Sequence, residues 1–248
     1  MAELVKNNKE IKMRGNQKNK NYKIKWTPEF AYAIGLLTTD GNLSKDGRHL
    51  DFTSNDIQLV KIFKKCMNLT GVKIGTKTNG FTNKRYPHIQ FSNAKLYQKL
   101  LKMGLAPNKS RTIKKLKIPN KYFFDFLRGC FDGDGTIFSY WDRRWDSSFM
   151  FYIAFSSGSL DFLQWLQKKI KISCKLNGYI GQSGDKRNFI LRYAKKESLI
   201  LFNKMFYSKN IPLLKRKYKK DLKIFRINTN HNKKSLPARV AKLADAPF

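Results

Sequence analysis

The sequence predicts an α+β fold in which one unit, running helix, hairpin, helix, hairpin, helix, is built twice in succession. Three observations carry that prediction. An apolar helical run ends in glycine-spaced acids at Leu127-Arg128-Gly129-Cys130-Phe131-Asp132-Gly133-Asp134-Gly135, and Ala33-Ile34-Gly35-Leu36-Leu37-Thr38-Thr39-Asp40-Gly41 has the same outline. The hydrophobic pattern after each run follows the same order. The spacing between matching positions is nearly constant: Asp40 to Asp134 is 94 residues, Phe52 to Phe155 is 103, Phe91 to Tyr193 is 102 and Lys109 to Lys215 is 106. The one large jump lies inside the first hairpin, as expected if the second copy has the longer one.

Residues 1–25 are rich in Lys and Asn and poor in apolar side chains, so they read as a basic N-terminal arm, mobile or ordered only on a surface. The first unit spans 26–119. Thr27 can cap a helix, Pro28 suits its first turn and Glu29 complements its N-terminus, which predicts a helix over 28–39, ended by Gly41. Leu43, Leu50 and Phe52 flank a Lys45-Asp46-Gly47-Arg48 turn and predict a hairpin. Ile57, Val60, Ile62, Phe63 and Met67 recur at helical spacing up to Gly71. A second strand pair is expected over 72–76 and 86–91, then a helix over 94–103. The second unit, 120–225, repeats this. It has strands over 137–140 and 149–155 around a tip with Arg143, Arg144 and Trp145, a helix over 160–170, strands over 174–180 and 188–193, and a helix over 196–207. Residues 226–248 lose the periodicity and form a tail.

The charge separates the function classes. Among 248 residues, 51 Lys and Arg against 17 Asp and Glu leave a formal charge of +34, while 41% hydrophobic content still argues for a folded core. Such an imbalance repels itself unless a polyanion compensates, which makes nucleic acid the expected partner. No single helix concentrates the lysines as a membrane-surface protein would, and no apolar run approaches the roughly 18 residues of a membrane span. Cys66, Cys130 and Cys174 are odd in number and widely spaced, which argues against a disulfide framework or a zinc site. The reading is an intracellular protein, located with the genome that carries its gene: bacterial or archaeal cytoplasm, or an organelle.

An apolar helix ending in Asp-Gly is ordinarily a stop signal with a solvated acid. Two copies in equivalent places change that. Gly129 and Gly133 lie four apart on one helical face, and Gly35 and Thr39 hold the same places on the other helix. Small residues at that spacing let two helix backbones approach closely. Parallel packing along this face brings Asp40 and Asp134 together at the C-terminal ends, where both helix dipoles are negative. A Mg²⁺ ion resolves that conflict, since it takes a few carboxylate oxygens and leaves places for water and phosphate. Hard oxygen ligands beside a polyanionic partner point to metal-assisted phosphodiester hydrolysis.

Both runs resemble the LAGLIDADG signature of homing endonucleases, closely at 127–135 and more loosely at 33–41, where Thr38 and Thr39 replace an acid and an alanine. The resemblance covers about residues 26–225 and is to the monomeric, two-motif members. It implies two pseudo-symmetric αββαββα units with antiparallel β-saddles packed through the motif helices, laid along the major groove of double-stranded DNA. It further implies a divalent-metal-dependent double-strand break in a long target, leaving short 3′ overhangs. The last acid of each motif binds the metal, which carries over to Asp40 and Asp134, with Mg²⁺ as cofactor and Mn²⁺ able to substitute. Asp132 matches a variable position and is expected to serve structure. A basic residue from each unit assists near the scissile phosphates, best matched by Lys109 and Lys215, although Ser110, Arg111, Arg216 and Lys217 exchange with them under a small alignment shift. Ser54 and Ser157 occupy the region where a polar side chain orients water.

Base reading falls to hairpin residues, where Arg and Lys favour guanine and Asn and Gln favour adenine. The candidates are Lys45, Arg48, Lys77, Arg85, His88 and Gln90 in the first unit, and Arg143, Arg144, Gln182, Lys186, Arg187 and Arg192 in the second. Each is equally readable as a phosphate contact or a solvated charge. In the tail, 238–246 resembles the conceptual translation of the 5′ part of a tRNA gene, which suggests a reading frame within an intron or insertion; the other reading is a short amphipathic helix. Two further hypotheses stand beside the endonuclease: an intron RNA-binding maturase on the same scaffold, and an inactive DNA-binding regulator.

Overall fold

The computed structural model describes residues 25–78, 83–144, 148–184 and 186–231. The N-terminal arm, Trp145 and the tRNA-like stretch of the tail lie outside them. The first half of the chain comprises α1 (Pro28–Thr39), β1 (Gly41–Leu43), β2 (His49–Thr53), α2 (Ile57–Cys66), β3 (Gly75–Thr78), β4 (Arg85–Ser92) and α3 (Ala94–Met103). The second comprises α4 (Phe123–Asp134), β5 (Gly135–Trp141), β6 (Phe149–Ser157), α5 (Leu160–Cys174), β7 (Tyr179–Gln182), β8 (Phe189–Ala194), α6 (Lys195–Met205) and α7 (Lys215–His231). The two sheets are antiparallel and have equivalent orders, β1-β2-β4-β3 and β5-β6-β8-β7. The fold is thus α+β with an internal repeat.

The caps show why the helices start where they do. Thr27 Oγ1 accepts a hydrogen bond from the Phe30 amide at 3.1 Å, with Pro28 in the first turn. Asp56 caps α2, Asn93 caps α3 and Ser159 caps α5 in the same manner, each side-chain oxygen taking one of the amides a helix start leaves unpaired. Gly104 ends α3 in the left-handed conformation, with φ 104°. The hairpins explain the changed repeat spacing. The β1–β2 ladder runs from Gly41↔Phe52 to Leu43↔Leu50, whereas β5–β6 extends from Gly135↔Phe155 to Trp141↔Phe149.

The structure corrects four boundaries. Cys174, expected to open a strand, closes α5, because Lys175 takes the left-handed conformation there. The expected strand at 72–76 begins only at Gly75, and α2 stops at Cys66, five residues before Gly71. Most consequentially, α7 crosses the expected boundary at residue 225. It buries Tyr218, Leu222 and Phe225 on one face against Phe202, Phe206 and Phe151.

Helices α1 and α4 make the most extensive contact between helices among the described residues, and the buried apolar side chains of both halves join in one cluster around them. No helix among the described residues is long and apolar enough to cross a membrane.

Candidate active site

The site follows from how closely α1 and α4 approach. A Cβ on Gly35 would lie 2.2 Å from the Phe126 carbonyl oxygen, and one on Gly129 would lie 2.1 Å from that of Tyr32. Each distance is far inside van der Waals contact, so the two backbones touch directly across the crossing. One turn further on, the position of a Gly133 side chain is filled by Thr39 Oγ1 and, at 2.9 Å, by Asp40 Oδ2. The small-residue stripe therefore places Asp40 beside the end of α4, where Asp134 sits. Both acids line one open cleft of about 480 Å³. Thr53, Ser54 and Tyr86 enter it from the first sheet and Thr136 from the second.

Burial dominates the electrostatics. It pushes the Asp40 carboxyl up to about 7, aided by the Asp134 charge and opposed by Lys109 and Lys217. Burial raises Asp134 as well, against the same two lysines. Both carboxylates are hard to ionise together without further positive charge. Burial also depresses the lysines, Lys109 to about 8.

Lys109 Nζ donates to the carbonyl of Gly41, the residue after Asp40. Lys217 Nζ donates to the carbonyls of Phe131 and Gly135, the latter directly after Asp134. Gly41 and Gly135 are equivalent in the repeat, so Lys217, not Lys215, is the counterpart of Lys109. Lys215 is exposed at the start of α7 and does not line the cleft. Two residues along a helix turn a side chain by about 200°, which carries Lys217 round to the acids.

Asp132 is fully enclosed. Its Oδ2 accepts from the Tyr32 hydroxyl at 2.6 Å and from the Leu214 amide at 2.9 Å, tying α1 and the lead-in to α7 onto α4. The equivalent Thr38 donates only to Ile34 O within α1, at 2.8 Å. Ser54 and Ser157 accept from the amides of Asp56 and Ser159, and of the two only Ser54 lines the cleft.

Strand register sorts the expected surface residues. Lys77, His88 and Gln90 share the outer face of the first sheet, the side away from Phe52, Ile89 and Phe91. Arg85 alternates onto the opposite side, as Gln182 does in the second sheet, so neither joins the outer-face set. Arg192 lies on the outer face of the second sheet, paired in register with Ala154 and Tyr179. Lys45, Arg48, Arg143, Arg144, Lys186 and Arg187 are exposed at hairpin tips. Arg144 already forms a two-point ion pair with Asp142, at 2.7 and 3.0 Å, and Arg48 lies 3.8 Å from Asp46.

Two residues stand out only in three dimensions. Arg128, within the second motif, is completely buried. It donates to the carbonyls of Pro212 and Met205 and to Asp125, at 2.7–2.8 Å. Asp221, on α7, lines the cleft beside Lys217 and is held near 7 by burial. The α7 periodicity at Tyr218, Leu222 and Phe225 is the sequence signal that would have placed it.

The donor set suits a hard divalent cation: two carboxylates forced together, each favouring its protonated form unless positive charge is added. Among the described residues no group of three or more His, Cys, Asp or Glu side chains is arranged to hold a metal. Asp40 and Asp134 are the two side chains at the cleft that could hold such a cation.

No protein-family model matches the sequence, nor does any curated protein. Solved structures do match. The homing endonuclease I-WcaI bound to its DNA recognition sequence has a TM-score of 0.58 at 15% identity, covering 84% of this chain and 93% of its own. The LAGLIDADG homing endonuclease I-LtrWI bound to target DNA has a TM-score of 0.52 at 12% identity, covering 89% and 98%. Full-length DUF199/WhiA from Thermatoga maritima has a TM-score of 0.52 at 15% identity, covering 89% and 67%. With its repeated topology and paired motif helices, the chain has the LAGLIDADG homing endonuclease fold.

Proposed function

We propose that the protein is a site-specific endonuclease that makes a double-strand break in a long duplex DNA target. The observation that carries this is the meeting of the α1 and α4 ends, where two equivalent acids line the cleft and two equivalent lysines, Lys217 in the cleft lining and Lys109 buried outside it, hydrogen-bond the backbone just after the acids. A fold shared by homing endonucleases and WhiA does not fix the chemistry. The retained acids and lysines support the nuclease reading.

Asp40 and Asp134 would hold a Mg²⁺ ion, with Mn²⁺ able to replace it. When bound, such an ion neutralises charge on the phosphoryl oxygens and acidifies a coordinated water. Lys109 and Lys217 stand beside the acids, one from each half, so each would meet one scissile phosphate and stabilise the charge gathering on it. Burial lowers the proton affinity of both, and Lys109, at about 8, comes close to the range in which a lysine passes a proton near neutral pH. Asp132 fixes the helix pair and leaves metal binding to Asp134. The outer sheet faces open onto the cleft through Thr53, Tyr86 and Thr136 and would track the major groove. The protein acts as a monomer that is its own pseudo-dimer, leaving short 3′ overhangs, and is encoded within an intron or insertion.

Incubating the protein with a randomised duplex library in Mg²⁺, Mn²⁺ or Ca²⁺, then sequencing the ends, tests this. One motif cut with Mg²⁺ and Mn²⁺ but only bound with Ca²⁺ is the expected result. An absence of cut product from every duplex contradicts the proposal, and tight binding to a structured intron transcript instead would point to an RNA role.

A further inference from the structure

The outer faces of the two sheets occupy equivalent positions but differ in chemistry. On the first, register aligns Asn42, Asp51 and Gln90 across neighbouring strands, with His88 and Lys77 further along. On the second, the same alternation presents Phe138, Tyr140, Tyr152 and Tyr179, with Arg192 as the charged side chain the strands contribute and Glu197, from the first turn of α6, lining the same hollow. Phe138, Tyr140 and Tyr179 are 37%, 46% and 67% exposed, unusual for side chains of that size standing together. A continuous aromatic face on so charged a protein marks a contact surface.

Three features favour duplex DNA as what covers it. The face runs directly into the cleft: Phe138 lies two residues along β5 from Thr136, which lines the cleft with Asp40 and Asp134. It is rimmed by basic tips, Arg143 on one hairpin and Lys186 and Arg187 on the other, which complement phosphate. And Arg192 adds a positive charge within the face itself, close enough to act on the Tyr152 hydroxyl.

The ring geometry narrows the contact. Phe138 and Tyr152 stack at 5.1 Å and 14°, and Tyr140 and Tyr152 at 6.2 Å and 11°. These rings cover one another's faces, so they are poorly placed to receive unpaired bases by stacking, the mode of single-strand binders. The Tyr140 and Tyr152 hydroxyls lie 3.5 Å from one another. Tyr179 leans over Gly181, its ring edge 2.9 Å from where a side chain there would begin. In the major groove the one apolar group on a base edge is the thymine 5-methyl.

We infer that the second sheet reads its half of the target through thymine methyl groups, giving an A·T-rich half-site, while the first sheet reads the other half by hydrogen bonds. The inference rests on the DNA reading proposed above. Two halves of one target are then recognised by different physics. Methyl contact separates T from C, but tolerates shifts of register better than a bidentate hydrogen bond does.

The test is a duplex selected by the full-length protein from a randomised library in Ca²⁺, then resynthesised with deoxyuridine in place of thymidine in one half at a time. This removes only the methyl groups. Loss of affinity of at least about tenfold from one half and less than about twofold from the other is expected. The double variant Phe138→Ser/Tyr179→Ser should lose the sensitivity to deoxyuridine in that half, while its base preferences in the other half stay unchanged, which shows that the variant is folded. Tight selection with equal or no deoxyuridine effect overturns the inference alone. If no duplex is selected, the DNA reading itself fails and the inference falls with it.

Discussion

The two halves agree where they meet and diverge away from that line. At the crossing, Gly35 faces Gly129, Asp40 faces Asp134, and Lys109 and Lys217 reach equivalent carbonyls. Beyond it, the second half carries a buried Arg128, a tied Asp132, an added carboxyl at Asp221 and an aromatic sheet, where the first has Ile34, Thr38, no counterpart acid and a polar sheet. The difference teaches that the two halves match in geometry where the motif helices meet, while each half is supported and surfaced by different side chains.

The largest effect that would break the comparison is on stability. Arg128 holds α4 to the chain around Met205 and Pro212, and Arg128→Ala leaves Asp125 buried without its cation. Chemical denaturation should show a loss of about 4 kcal/mol. Next come the lysines. Lys109→Ala and Lys217→Ala should each slow cleavage about 10²-fold, each chiefly on one strand, while Lys215→Ala stays within about twofold. Strand-resolved kinetics on end-labelled duplex separates these outcomes, and a Lys215→Ala enzyme as slow as the Lys217→Ala enzyme would restore the simpler alignment.

A smaller effect concerns the shared acids. Asp40 titrates near 7 in the folded protein against 3.8 for the free side chain. Its contribution to stability is full below pH 4 and is lost as the pH rises through 7. Without divalent cation, Asp40→Asn should match the wild type near pH 4 and be the more stable of the two at pH 8. Thermal denaturation across that range checks the sign, and added Mg²⁺ should close the gap. The smallest effect is at the tie particular to the second half: Tyr32→Phe removes one hydrogen bond to Asp132 and should cost about 1–2 kcal/mol with the cleft's acids in place.

Much of this is legible in the sequence. The cap at Thr27 and the apolar residues flanking each hairpin turn are local signals. The pairing of Asp40 with Asp134 followed from small residues at equal spacing on the two helices, Gly35 and Thr39 on one and Gly129 and Gly133 on the other. What escaped depends on phase and on distant partners. Lys215 and Lys217 differ only by rotation about a helix that is not among those expected from the sequence, its apolar stripe at Tyr218, Leu222 and Phe225 diluted by basic neighbours. Arg128 reads as a surface charge until Met205 and Pro212 are folded against it. The aromatic face was present in the alternation of Phe138 and Tyr140, but attention to charge selects Arg143 and Arg144 at the tip instead.

The measurement that tests the central claim most directly is double-strand cleavage of the selected duplex in Mg²⁺ by Asp40→Asn and by Asp134→Asn, with binding followed in parallel in Ca²⁺. A single cleft shared by both halves predicts that each substitution alone abolishes cutting of both strands while the duplex is still bound. Cleavage of either strand at the wild-type rate by either variant would contradict it.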